Sequence, residues 1–165
     1  MGPWEQVDTG GCPEDPTTTV VLTATDFRRL PLTPSPTHHQ PADGRNLIGK
    51  PVILWTDPAP QTLTTTVLGT PVTVRATPTT WTWDLGDDTA PLTTTDPGHP
   101  YPDHTVTRAY THPGTYTLTL TTTWTGTYQV DGTGPWHTVT GTATTTSTPT
   151  TLTAEEAPSR LVADR

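Results

Sequence analysis

The most constraining feature of this sequence is a pair of alternating runs, Trp81–Asp88 and Tyr110–Leu120. In the first run, Trp81, Trp83 and Leu85 share one parity, so in a strand they point to the same face. In the second run, a tyrosine and two leucines alternate with threonine, a β-branched residue that suits the solvated side of a strand. The two runs therefore predict half-buried strands, and the Gly-Asp-Asp that closes the first run predicts a tight turn.

The two runs also follow the pattern of a known family. They read Trp81-x-Trp83-Asp84-Leu85-Gly86-Asp87-Asp88 and Tyr110-x-x-x-Gly114-x-Tyr116-x-Leu118-x-Leu120. Together they resemble the polycystic kidney disease (PKD) domain, an immunoglobulin-like β-sandwich. The sequence departs from the family pattern at Leu85, where phenylalanine is usual, and at Asp88, where glycine is usual. Aspartate tolerates positive φ better than most residues, so we expect the turn to survive. The resemblance implies structural roles for the motif residues Trp81, Trp83, Asp84, Gly86, Asp87, Tyr110, Gly114 and Tyr116. Because Tyr116 opens a strand just after Gly114, we expect its hydroxyl to bond backbone near the preceding turn.

Many short strands separated by turn signals predict an all-β fold. We predict an immunoglobulin-like (PKD-type) antiparallel β-sandwich with an irregular, proline-rich N-terminal extension. The predicted segments are a mobile tail over residues 1–17, a proline-rich extended segment with one strand over 18–50, the sandwich over 51–153 with the strict motif at about 70–125, and a C-terminal tail over 154–165.

Several local predictions follow from turn residues and prolines. We expect the one strand of the N-terminal extension at Val20–Thr25 and extended coil over Leu30–Gly44. Gly69-Thr70 predicts a hairpin turn, and Trp124–Tyr128 predicts a second, later hairpin. The long loop Asp87–His104 carries four prolines. It is either functional or pinned by its own contacts, and the prolines favour the pinned alternative.

Charge and hydropathy limit the classes of partner that the chain could bind. The 165-residue chain carries a formal charge of −8, which disfavours nucleic acid and anionic membrane surfaces. Neither an apolar run long enough to span a membrane nor a signal-peptide pattern is visible. The single Cys12 cannot form an internal disulfide and leaves the compartment open. The resemblance to PKD-containing surface proteins of actinobacteria implies an extracellular or cell-surface location, with a protein or a cell-wall polysaccharide as the partner.

Three sets of residues are of types that can bind metals or catalyse reactions. Asp84, Asp87 and Asp88 could bind calcium, but no EF-hand pattern is present, and acceptors within a turn are favoured. The histidines have no zinc-site spacing and are expected to be solvated loop residues: His38, His39, His99, His104 and His112. The serines lack a nucleophile elbow. We therefore predict no catalytic residue, no metal site and no cofactor, and we do not expect an enzyme.

The exposure of the remaining aromatic residues would distinguish between two possible functions. Trp124, Tyr128 and Trp136 lie at predicted hairpin ends and are a possible ligand rim, although the parity of Trp124 also fits the core. Exposure of Trp55, Trp124 and Trp136 would favour a carbohydrate-binding accessory module, and their burial would favour adhesion or spacing. The leading hypothesis is a non-catalytic module for protein–protein adhesion or structural spacing at the bacterial cell surface.

Rows of threonine offer one more alternative. They occupy alternate positions over residues 115–121 and 138–144. Ice binding needs a flat array, whereas neighbouring sandwich strands twist by about 20°. Solvated strand faces, or O-glycosylation sites in an exported protein, therefore account better for these rows.

Overall fold

A computed structural model of the chain describes residues 19–158. The predicted tail over residues 1–17 and most of the predicted tail over 154–165 lie outside this range. The elements in chain order are α1 (Ala24–Arg28), β1 (His38–Gln40), β2 (Arg45–Leu47), β3 (Val52–Trp55), β4 (Gln61–Val67), β5 (Thr70–Asp84), β6 (Leu92–Thr94), β7 (Thr107–Arg108), β8 (Gly114–Val130), β9 (His137–Thr138), β10 (Ala143–Thr146) and β11 (Thr150–Glu155).

The strands form two sheets. The large sheet has the order β2-β11-β8-β5-β4, with β9 and β10 also paired to β8 and β6 paired to β5. The small sheet has the order β1-β3-β7. The β11–β2 pairing is parallel, and the other pairings in the described range are antiparallel. The predicted all-β, immunoglobulin-like sandwich is confirmed.

Strands β5 and β8 form the spine of the large sheet. Val74 lies opposite Tyr128, but after a register shift between Pro78 and Thr80 the pairing continues with Trp83 opposite Leu120. One extra residue in β5 is the signature of a β-bulge. The bulge moves the buried positions of β5 from even to odd numbers, while β8 keeps even numbers throughout. Both halves of β5 therefore bury side chains on the same face of the sheet.

The predicted hairpin at Trp124–Tyr128 is wrong, because β8 continues through this segment without a turn. Gly126, which looked like a turn residue, lies under the ring of Phe27. A Cβ atom at Gly126 would come within 2.8 Å of that ring. This glycine therefore permits close packing. From sequence alone, a glycine with this role cannot be distinguished from a glycine in a hairpin turn.

The buried side chains form two apolar clusters along the spine, here called the first and second cores. The first core lies between the two sheets and contains Val52, Leu54, Trp81, Trp83, Leu85, Val106, Tyr110, Leu118, Leu120, Leu152 and Ala154. The second core lies at the other end of β5 and β8 and contains Leu22, Phe27, Val72, Val74, Ala76, Trp124, Tyr128, Val139 and Ala143.

The N-terminal segment differs from its prediction. The expected strand Val20–Thr25 is absent from the described range, because Thr23 caps α1 instead. The Asp26 N–H donates to Thr23 Oγ1 over 3.1 Å, and the Thr23 N–H donates to Asp26 Oδ2 over 3.1 Å. This reciprocal capping box starts the helix and turns Phe27 into the second core. The coil expected over Leu30–Gly44 is also interrupted, since β1 pairs with β3.

Other local predictions match the structure more closely. The β4–β5 hairpin turns at Leu68 and Gly69, one residue earlier than expected, and both have positive φ (50° and 77°), as a two-residue hairpin turn requires. The long loop is pinned, as favoured: β6 pairs with β5, and the Thr56 N–H donates to the Pro97 carbonyl over 2.9 Å. No helix within residues 19–158 is long and apolar enough to cross a bilayer.

Candidate functional site

The acidic turn after β5 uses its carboxylates within the turn. Asp84 Oδ1 accepts from the Gly86 N–H over 2.9 Å. Asp87 Oδ1 accepts from the N–H and the hydroxyl of Thr89, over 3.2 Å and 2.5 Å. Asp88 adopts φ +61°, so aspartate replaces the usual glycine in the left-handed conformation as expected. In the described part of the chain, no group of three or more His, Cys, Asp or Glu side chains could hold a metal ion.

Two stacked tyrosines connect this turn to β8. The rings of Tyr110 and Tyr116 lie 4.4 Å apart. The Tyr116 hydroxyl donates to the His112 carbonyl over 2.8 Å, which is the expected contact with the backbone of the preceding turn. The Tyr110 hydroxyl donates to the Leu85 carbonyl over 3.1 Å and is fully buried. Burial, with a smaller contribution from the nearby Asp87 carboxylate, raises the pKa of Tyr110 to about 12.

Gly114 opens β8 beside the same pair of rings. Its φ of 158° is a backbone conformation that residues with a side chain rarely adopt. A Cβ atom here would approach the ring and hydroxyl of Tyr116 to 3.3 Å. The motif glycine therefore leaves room for the tyrosine that follows it.

The tryptophans of the motif belong to the first core. Trp83 is fully buried, and Trp81 is 3% exposed, so the parity prediction is confirmed. The indole N–H groups of both residues have no hydrogen-bond partner in the described structure. Packing of the large rings, rather than polar contact, is therefore what these two residues contribute.

The predicted ligand rim is wrong for two of its three members. Trp124 is 1% exposed and Tyr128 is 5% exposed, because even-numbered residues of β8 face the core along its whole length. Trp136 is 42% exposed, with the Arg75 guanidinium carbon 5.1 Å from the centre of its ring. Of the rim, only Trp136 remains available to a ligand.

The histidines do not converge on one site. The ring of His38 stacks on Trp55 at 5.4 Å, and the ring of His104 stacks on Tyr101 at 5.8 Å. His39, in the inward register opposite Leu54, places Nδ1 2.9 Å from the Pro41 carbonyl. The first two histidines therefore support aromatic rings on the surface.

The sequence did not predict the surface that these stacks form. It lies on the outer side of the small sheet and is here called the aromatic face: His38, Gln40, Ile53, Trp55 and Tyr101. The cross-strand pairs His38–Trp55 and Gln40–Ile53 place four of these residues side by side, and Tyr101 reaches them from the long loop. All residues of β3 are apolar, so the alternation that reveals an outward face was missing. The partial burial of Ile53 and Trp55 between fully buried neighbours identifies it.

Comparison with known proteins agrees with this architecture. Searches of the curated proteins and of the solved structures returned no match. The family model of the PKD domain matches residues 56–126, which include the two motif runs, the acidic turn and most of both spine strands. PKD domains are generally non-catalytic, immunoglobulin-like modules and are typically extracellular. The match and the sandwich together show that this part of the chain is similar to a PKD domain.

Proposed function

We propose that the chain is a non-catalytic module for protein–protein adhesion or structural spacing at the bacterial cell surface. The observation that carries this proposal is the continuity of the spine. Strand β5 is a single strand over Thr70–Asp84 with one bulge, and β8 is a single strand over Gly114–Val130. Each strand passes through both cores. Two cores that share two strands cannot rotate independently, so the module has a fixed length.

The two ends of the described chain support the spacing role. The N-terminal segment packs at the second core, where Phe27 covers Gly126. The last strand leaves at the opposite end of β8, where Ala154 pairs with Gly114. At about 3.3 Å per residue, the segment of β8 between these two glycines is about 40 Å long. A pulling force between neighbours on either side would therefore be carried along the spine.

A distance measurement tests the spacing proposal. Dyes on Val21→Cys and Ala157→Cys, in a Cys12→Ser background, would report the end-to-end distance by single-molecule energy transfer. We expect one narrow distribution near 40 Å, which broadens when the same labelled chain is unfolded in urea. A broad distribution under native conditions would contradict a rigid spacer.

The use of large apolar residues supports the non-catalytic part of the proposal. Trp81, Trp83 and Trp124 fill the two cores, whereas an active site needs an unfilled cavity with convergent acids, bases or nucleophiles. The isolated chain should show no turnover against polysaccharide or peptide substrates. A hydrolase signal that disappears when one carboxylate is mutated would overturn this conclusion.

One observation favours the alternative, a carbohydrate-binding accessory module that uses rim aromatics. Trp136 is exposed, and the neighbouring His137 lies with its ring 5.3 Å from Tyr128. A glycan array probed with the native chain and with Trp136→Ala tests it. Binding that requires Trp136 would favour the accessory module, and a blank array would favour adhesion or spacing.

A further inference from the structure

A shallow groove crosses the aromatic face. Its volume is about 300 Å³, and it is lined by Gln40, Pro41, Pro51, Ile53 and Tyr101. Tyr101 is 69% exposed, whereas three of the five tryptophans within residues 19–158 are buried. The volume is at the lower end of the range for ligand sites, about 300–1,000 Å³. The groove is therefore large enough for a few groups of a longer ligand.

The loop that carries Tyr101 is held firmly. Asp96 accepts hydrogen bonds from Thr105 and from the Gly98 N–H, the latter over 2.8 Å, and these bonds lower the pKa of its carboxyl group. Gly98 lies so close to β3 that an added Cβ atom would collide with the Leu54 carbonyl. The Tyr101 N–H then donates to Gln40 Oε1 over 2.9 Å. Because the backbone is fixed on both sides of the groove, a ligand loses little binding free energy to ordering of the loop.

The exposed rings are also positioned in advance. His104 stacks on one face of Tyr101 at an interplanar angle of 17°, and His38 stacks on Trp55 at 19°. In each stack one ring supports the other. The His38–Trp55 stack lies next to the pair Gln40–Ile53 on the same face of the small sheet, and Tyr101 lines the groove together with that pair.

The polar groups of the groove offer mainly hydrogen-bond donors. Gln40 already uses its carbonyl oxygen to accept from Tyr101, so its amide N–H groups remain to donate. Of the other lining residues, only Tyr101 has a polar side chain, and its hydroxyl can donate. None of the groove-lining residues carries a full charge. A matching ligand has acceptors, few donors, apolar surface and no charge.

We propose that this groove binds a proline-rich peptide segment in the polyproline II conformation. Proline has no N–H, so such a segment presents carbonyl acceptors almost alone, together with apolar pyrrolidine rings. Its preformed extended helix suits aromatic-lined grooves, because little conformational entropy is lost on binding. A sugar presents an O–H donor at every hydroxyl, and the groove has few acceptors for these donors. This inference rests on the proposed adhesion role and names the chemistry of its partner.

Fluorescence anisotropy with a labelled decaproline peptide tests the proposal on the full chain. We expect a saturable rise in anisotropy that a glycine-serine peptide of equal length does not produce. Tyr101→Ala should weaken binding at least tenfold. Trp136→Ala removes an exposed aromatic ring from a different surface and is the matched control, so it should leave the affinity unchanged within a factor of two.

A second variant tests the amide donors of Gln40 while keeping the hydrogen bond that holds the loop. Gln40→Glu keeps an oxygen that can accept from the Tyr101 N–H but removes the free amide donors, so it should weaken binding severalfold while the melting temperature stays unchanged. The proposal fails if decaproline does not bind, if Tyr101→Ala binds normally, or if neutral oligosaccharides bind at Tyr101 in its place. Failure of these titrations would leave the end-to-end distance unaffected, so the spacing role is judged separately.

Discussion

The turn after β5 offers a sharp test of the fold. Gly86 has φ +71°, and a Cβ atom added here would lie 2.5 Å from the Thr117 carbonyl oxygen and 3.0 Å from the Thr117 nitrogen. Thr117 is paired with Thr151 of β11, so it cannot move without disturbing the ladder. Gly86→Ala therefore combines a strained conformation with a collision against backbone.

Gly69 provides the matched control. Its φ is +77°, but nothing lies within 4 Å of an added Cβ atom. Left-handed backbone costs an alanine about 1–2 kcal/mol, offset in part by about 0.4–1 kcal/mol from the stiffer unfolded chain. Gly69→Ala should therefore lower the free energy of unfolding by about 1 kcal/mol. Gly86→Ala should lower it by about 3 kcal/mol, because displacing the paired backbone at Thr117 adds about 1–3 kcal/mol.

Urea unfolding followed by tryptophan fluorescence measures both variants. For a chain of this size, these losses correspond to falls in Tm of about 2–4 °C for Gly69→Ala and about 6–12 °C for Gly86→Ala. Equal losses in the two variants, with unchanged m-values, would show that only backbone conformation matters at Gly86. The close approach to β8 would then be relieved without cost, and our account of the turn would be wrong.

Substitutions at four further positions probe the motif. Trp83→Ala should cost about 3–5 kcal/mol, and a Tm unchanged within about 2 °C would remove this ring from the core. Asp87→Asn keeps a turn acceptor and should leave stability nearly intact, whereas Asp87→Ala should cost about 1–2 kcal/mol; a rise in Tm with calcium, abolished in the alanine variant, would reverse the assignment. Tyr116→Phe should cost about 1 kcal/mol with the fold kept. The pKa of Tyr110 is raised in the folded state. Its contribution to the free energy of unfolding should therefore be fully present below about pH 10 and be lost as the pH rises toward 12. Unfolding curves at alkaline pH should show a smaller loss of stability for Tyr110→Phe.

The sequence predicted the first core well, because its signals are local. Trp81, Trp83 and Leu85 alternate cleanly, and the turn that follows them uses side-chain acceptors two residues from their donors. Period-two parity is sufficient to assign a buried face wherever polar residues mark the other face. The contact of the Tyr116 hydroxyl with the His112 carbonyl is also local, and it was predicted for that reason.

The second core could not be predicted in the same way. Gly126 has the sequence signature of a turn, but its role is to make room for the ring of Phe27. Phe27 lies almost a hundred positions earlier in the chain, so no local pattern indicates this contact. The bulge between Pro78 and Thr80 likewise changes the parity of β5 partway along. The candidate site was missed for a related reason, since the aromatic face combines β1, β3 and a distant loop whose contacts are all non-local.

The two cores also show that the family match and the folded unit have different boundaries. The match covers residues 56–126, but the first core needs Val52 and Leu54 from before it and Leu152 and Ala154 from after it. The second core needs Leu22 and Phe27 from the N-terminal segment. A fragment limited to residues 56–126 would expose the buried faces of β5 and β8 on both halves of the spine. We therefore expect such a fragment to aggregate or remain unfolded, whereas a fragment of residues 19–158 should unfold cooperatively, as a single transition in urea would show.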